Sequence, residues 1–137
     1  MSEHKKFTSV HYHSYLKLDE ILNAQKPIST SVGDHAHEEM LFIIIHQVYE
    51  LWFKQINYEI RSVMDMFDDD KVDEKSIIIT VGRLERVIEI QKILIQQIAV
   101  METMTPLDFL DFRNYLFPAS GFQSFQFRTL EVLLGLK

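Results

Sequence analysis

DHAHEEMLFIIIHQVYELWFKQINYEIRSVMDMF, residues Asp34 to Phe67, contains neither Pro nor Gly, and from Met40 to Phe53 only His46, Gln47 and Glu50 interrupt its apolar and aromatic side chains. A helix this apolar on every side does not rest on a surface; it is the central post of a helical protein or a seam between subunits. Asp34 is placed to act as its N-cap, with Glu38 and Glu39 in the early turns, where the helix dipole favours negative charge. At 1.5 Å rise per residue the stretch reaches roughly 50 Å. His46 is the one imidazole inside the apolar run, and Phe42 and Tyr49 share its face of the helix. A lone histidine among apolar residues is most often a core residue satisfied by backbone or a hydroxyl. The other reading is an imidazole held neutral by burial and aimed at a ligand cavity.

Toward the N-terminus, Pro27 to Gly33 reads as a loop, and Tyr15, Leu16, Leu18, Ile21 and Leu22 support a short helix around Lys17 to Asn23. Residues 1 to 11 are polar and expected to be mobile unless another subunit holds them. Toward the C-terminus, the acidic tract Asp68 to Asp70 reads as a solvated turn, because no second ligand group has the spacing of a calcium loop. Ser76 to Val81 (SIIITV) is the one place where a strand competes. Its continuation decides for a second long helix, since Val81, Leu84, Ile88, Ile95 and Ile98 keep helical spacing to Met101. Gly82 weakens that helix by roughly 1 kcal/mol relative to Ala. Thr105 and Pro106 start a third helix as N-cap and first residue, with Asp108 near its positive end, and it should stop before Pro118. Ala119 to Gly121 reads as a turn and Phe122 to Leu134 as a fourth helix, with Gly135 beyond it. The expected fold class is all-α: one helical domain over residues 1–137, a bundle of two long helices and two shorter ones.

The 137 residues suffice for a core, and an apolar fraction of 47% leads us to expect that another chain or a ligand covers part of the apolar surface. A formal charge of −6, with no basic cluster longer than Lys5-Lys6, argues against nucleic acid and anionic membranes as partners. The absence of cysteine excludes disulfides and thiolate metal sites and fits a reducing compartment. The longest apolar run, Met40 to Ile45, is too short to span a bilayer, and MSEHKK lacks the apolar core of a signal peptide, so a cytoplasmic protein is expected. His35, His37, Glu38 and Glu39 lack the i, i+4 histidine pair of a helical zinc site, and no metal site is expected there.

On the third helix, Phe109 and Arg113 are four residues apart and share a face. Arg113 either pairs with a surface carboxylate such as Asp108 or Asp111, or grips a ligand carboxylate bidentately while Phe109 excludes water beside it. The segments YHSYLKLDEILNAQKPIS (Tyr12–Ser29), HEEMLFIIIHQVYELWFKQINYEIR (His37–Arg61) and DFRNYLFPASGFQSFQFRTLE (Asp111–Glu131), in this order, resemble the N-terminal part of the tryptophan 2,3-dioxygenase family. ASGFQSFQFR is the most distinctive part of the match.

The resemblance implies a haem-dependent oxidoreductase, a cytoplasmic homotetramer that inserts both atoms of O2 into L-tryptophan to give N-formylkynurenine in tryptophan catabolism. Arg113 stands where the family binds the substrate carboxylate, and Phe109 stands where some members carry Tyr. Phe42 and His46, in FIIIH, match the pair that lines the indole site, with His46 Nε2 accepting a hydrogen bond from the indole N–H. An orienting role for His46 is favoured over general-base catalysis, because an indole N–H is a very weak acid. Many members carry Gln just before this His; here Ile45 makes the adjoining face more apolar. Tyr12, Tyr15 and Leu16 match an N-terminal element that reaches into a neighbouring subunit's active site, although ordinary amphipathic packing uses the same residue types. Ser120 and Gly121 match a turn against the haem edge, where glycine permits close approach. The axial haem histidine, and the loop closing over the substrate's ammonium group, are expected in a C-terminal part of the family's polypeptide to which no residue here corresponds. A fragment or a split gene keeps the dioxygenase reading; a shortened relative acting as a haem-free helical binding or assembly module is the alternative.

Overall fold

The computed structural model of the chain describes residues 10–68 and 72–136, and every regular element among them is helical. The α-helices are α1 (Tyr12–Tyr15), α2 (Leu18–Leu22), α3 (Ile28–Ser31), α4 (Glu38–Phe67), α5 (Glu74–Met101), α6 (Pro106–Leu116) and α7 (Phe125–Leu133). The two long helices are those read from the sequence, and α4 is the post on which α5, α6 and α7 all pack. Its coverage is incomplete, since Met40, Ile44, Leu51, Tyr58 and Met64 remain exposed.

The cap expected at Asp34 is not formed. α4 begins at Glu38, behind His37, with no side-chain cap. Asp34 is engaged elsewhere: its carboxylate accepts from the Tyr115 hydroxyl at 2.7 Å, and its carbonyl from the Ala36 N–H at 3.1 Å. The carboxylate of buried Glu39 accepts from the backbone N–H groups of Ile28 and Ser29 at 2.8 and 2.9 Å. Those are donors that a helix start leaves without partners. Satisfied from α4, they let the expected loop Pro27–Gly33 close into the helical turn α3. The helix expected around Lys17–Asn23 is α2, separated from α1 by Lys17, whose φ of 55° breaks the helical path. Residues 1–9, where most of the expected mobile arm lies, and Asp69 and Asp70 of the acidic tract are outside the described residues. His11 is held by its carbonyl, which accepts from Tyr15 N–H and the Ser14 hydroxyl.

Asp73 caps α5 through Ser76 N–H at 2.8 Å, so the β-branched Ser76–Val81 continues a helix already started. Ile56 and Ile60 of α4 meet Val87 and Ile90 of α5 and Leu130 of α7 in the core, with Trp52, Phe53, Leu94 and Leu133 packed against it. At its edge, buried Glu59 accepts from Arg86 at 2.7 Å and lies 3.9 Å from Arg83. α6 starts at the expected Thr105 N-cap, which Asp108 closes into a capping box, buries Phe112 completely and stops before the cis Phe117–Pro118 peptide. The fourth helix begins later than expected. Gly121–Gln123 form a 3-10 turn, Ser124 is extended, and its hydroxyl accepts from Phe127 N–H to cap α7. Gly135, at φ 75°, ends that helix. Among the described residues no helix is long and apolar enough to cross a membrane.

Candidate functional site

Between α4 and the chain that leads from α6 into α7 lies a partly open groove of about 520 Å³. Phe42, His46, Tyr49, Glu50 and Phe53 line it from α4, at the three- and four-residue steps that share a helix face. Leu116, Ala119, Ser120, Gly121, Ser124 and Phe127 stand opposite. The groove thus brings together Phe42, His46, Ser120 and Gly121, which the sequence analysis singled out.

His46 is exposed toward this opening rather than buried. A hydrogen bond orients it. Nδ1 lies 2.7 Å from the Phe42 carbonyl, and a carbonyl only accepts, so Nδ1 carries the proton. In the neutral ring Nε2 is then left as an acceptor. The Phe42 ring lies 4.1 Å from the His46 ring, and Phe109 stacks on Phe42 at 5.7 Å. Phe112 closes the cluster edge-on, 5.4 Å from both rings. The Arg113 Cζ sits 6.0 Å from the Phe109 ring, and among the described residues the guanidinium has no carboxylate within ion-pair distance. Neither Asp108 nor Asp111, the surface partners considered above, pairs with it, and Asp108 Oδ2 instead accepts from the Thr105 N–H and hydroxyl at 2.8 and 2.6 Å. Phe109 and Arg113 therefore continue the aromatic run past Phe42, beyond the lining of the groove itself.

Tyr12 and Tyr15 are 75% and 74% exposed, Leu16 is half-buried, and none of the three lines the groove of its own chain. At Gly121 an added Cβ would meet no atom within 4 Å, so that edge of the groove is open to a flat group approaching the backbone. Beside the aromatic wall this open edge leaves room for a planar group. Among the described residues no three His, Cys, Asp or Glu side chains gather into a metal site. Glu50 and Phe53, missed in the sequence reading, follow from His46 by helical steps of four and seven. Ser124 and Phe127 carry no such signal, because they reach the groove only through the path of the loop.

Fold and site together define an all-helical chain with an aromatic groove whose α4 wall bears an oriented imidazole. The family model for tryptophan 2,3-dioxygenase matches residues 2–137, and the chain belongs to that family. It is 57% identical over 132 residues to a tryptophan 2,3-dioxygenase of Bdellovibrio bacteriovorus, covering 96% of this chain and 37% of the relative. It is 56% identical to that of Alteromonas mediterranea, covering 97% of this chain and 37% of the relative. Identity to the Dictyostelium discoideum protein is 58%, covering 93% of this chain and 32% of the relative. The chain thus spans about a third of the length of the curated relatives it matches.

Proposed function

We propose that this chain forms the N-terminal part of a haem-dependent tryptophan 2,3-dioxygenase, which converts L-tryptophan and O2 to N-formylkynurenine in tryptophan catabolism. The observation that carries this reading is the continuous run from the acceptor nitrogen of His46, through the Phe42 and Phe109 rings, to the guanidinium of Arg113. An indole packed on Phe42 loses apolar surface worth several kcal/mol by area, about 25 cal/mol per Å². His46 Nε2 accepts the indole N–H and fixes the orientation of the ring. Arg113 takes the amino-acid carboxylate as a two-pronged donor, with Phe109 keeping water from that pair. Ser120 and Gly121 would lie beside the haem, where the turn leaves room for a flat group. Haem, when bound, supplies the binding and activation of dioxygen. The exposure of Tyr12 and Tyr15 supports their contact with a neighbouring subunit in a cytoplasmic homotetramer.

Arg113→Ala in the assembled, haem-loaded protein tests the assignment. L-tryptophan binding should weaken about tenfold to a hundredfold, the range for losing a charged hydrogen-bonded contact. Indole analogues without a carboxylate should bind nearly as before. Equal losses for both ligand types, measured by absorbance titration, would remove Arg113 from the site.

A further inference from the structure

We infer that Glu50 is a positioning residue that sets the width of the groove by tethering its loop wall to α4; the consequence for ligands rests on the function proposed above, whereas the tether does not. The loop wall gains little from the core: Phe117 and Phe122 are 87% and 83% exposed, and Ala119, Ser120 and Gly121 are exposed as well. Polar contacts hold it. Ser124 Oγ donates to Glu50 Oε1 at 2.5 Å. Gln126 Nε2 donates to Glu50 Oε2 at 3.0 Å and to the Glu50 carbonyl at 2.8 Å. Among the described residues, the other side-chain hydrogen bond between this region and α4 runs from Asn57 Nδ2 to the Gln126 carbonyl at 3.0 Å.

Ser124 serves both sides of the junction. Its oxygen accepts from Phe127 N–H at 3.1 Å as the cap of α7, and its single hydrogen goes to Glu50. Upstream, the Ser120 hydroxyl accepts from Phe122 N–H, and the Ser120 N–H donates to Gln123 Oε1, so Ser120 and Gly121 belong to a turn that ends at Ser124. Glu50 lies four residues after His46, on the same face of α4. One carboxylate therefore links the helix that carries the imidazole to the turn that forms the opposite wall. Hydrogen bonds to a carboxylate are short and strong, and small displacements of positioning groups are costly to a fitted site. Glutamine at this position keeps the length but removes the charge that strengthens both side-chain contacts, and its NH2 can meet Ser124 Oγ only by reversing that bond.

Hydrogen exchange of the purified chain, read by mass spectrometry, tests the tether. Glu50→Gln should speed exchange of residues 119–124 by about tenfold or more, as expected for local opening after loss of a charged hydrogen bond, and leave residues 87–90 in the core unchanged. Gln126→Met, which removes only the amide, should give a smaller increase in the same segment, and it decides the matter if circular dichroism shows that Glu50→Gln does not fold. In parallel, a haemin titration followed by absorbance should show a midpoint raised by about tenfold in Glu50→Gln. Unchanged exchange at 119–124 overturns the tether. Equal acceleration in loop and core overturns the positioning role and makes Glu50 a support of the whole fold. Faster loop exchange with an unmoved haemin midpoint overturns its link to the cofactor. A wild-type chain that binds no haemin fits a haem held mainly by residues other than these, and the exchange data then decide the tether by themselves.

Discussion

Glu39 is buried in the first turn of α4, yet its carboxyl is held below its ordinary pKa of 4.5. Burial raises the value; the Ser29 hydroxyl and the backbone N–H groups of Ile28 and Ser29 together lower it by more. A carboxyl with a depressed folded pKa contributes stability above its unfolded value and loses that contribution as pH falls through the folded value. The stability difference between wild type and Glu39→Gln should therefore be full above pH 4.5 and shrink on acidification below it. Urea unfolding across that range measures it, and a difference that stays constant on acidification would sink the assignment. The same residue ties α3 to α4, so Glu39→Gln should also loosen the segment from Ile28 to Ser31.

At the scale of the element, α6 matters most for the candidate site because it carries both Phe109 and Arg113. Its phase is set at the start. The Thr105 hydroxyl accepts from Asp108 N–H, Asp108 returns the bond to Thr105 N–H, and Pro106 has no N–H to leave unpaired. Phe112, fully buried among the aromatic rings, then fixes the rotation of the helix about its axis. Thr105→Ala should destabilise the chain by about 1 kcal/mol, the usual cost of losing such a cap, and Thr105→Ser should recover most of it. Thermal melts of the two variants give the comparison. If Ala and Ser melted alike, the cap would have no part in holding α6.

For the whole molecule, the imbalance between core and surface stands out. The core is small, while Ile77, Val81, Leu84, Ile88, Ile95 and Ile98 lie exposed along α5, and Phe117, Phe122 and Phe125 project near the groove. Contiguous apolar surface on this scale is uncommon on an isolated soluble domain. The chain spans about a third of its curated relatives, which is the context in which that surface stands. Purified alone, it should self-associate as its concentration rises, and Ile88→Lys together with Ile95→Lys should reduce this without lowering the melting temperature. Sedimentation velocity provides the check: a wild-type chain that stayed monomeric throughout would show that this face needs no cover.

Helical periodicity, capping chemistry and the lack of breakers between Asp34 and Phe67 were enough to read the all-α class, the two long helices and the start of α6. These are local properties, set by residues a few positions apart. Local signals also placed Phe42 and His46 on one face, and Phe109 with Arg113 on another. The start of α4, the helical turn at Ile28–Ser31 and the exposure of His46 were not legible, because each depends on a partner distant in sequence. Asp34 is taken by Tyr115, Glu39 supplies the N-terminal partner for α3, and the groove opens where the loop before α7 stands away from α4. The sequence by itself thus determined which segments are helices and which side chains share a face. Only the tertiary structure decided which faces meet and that Glu50 joins the two walls of the groove, because side-chain hydrogen bonds across more than seventy positions leave no periodic trace in the chain.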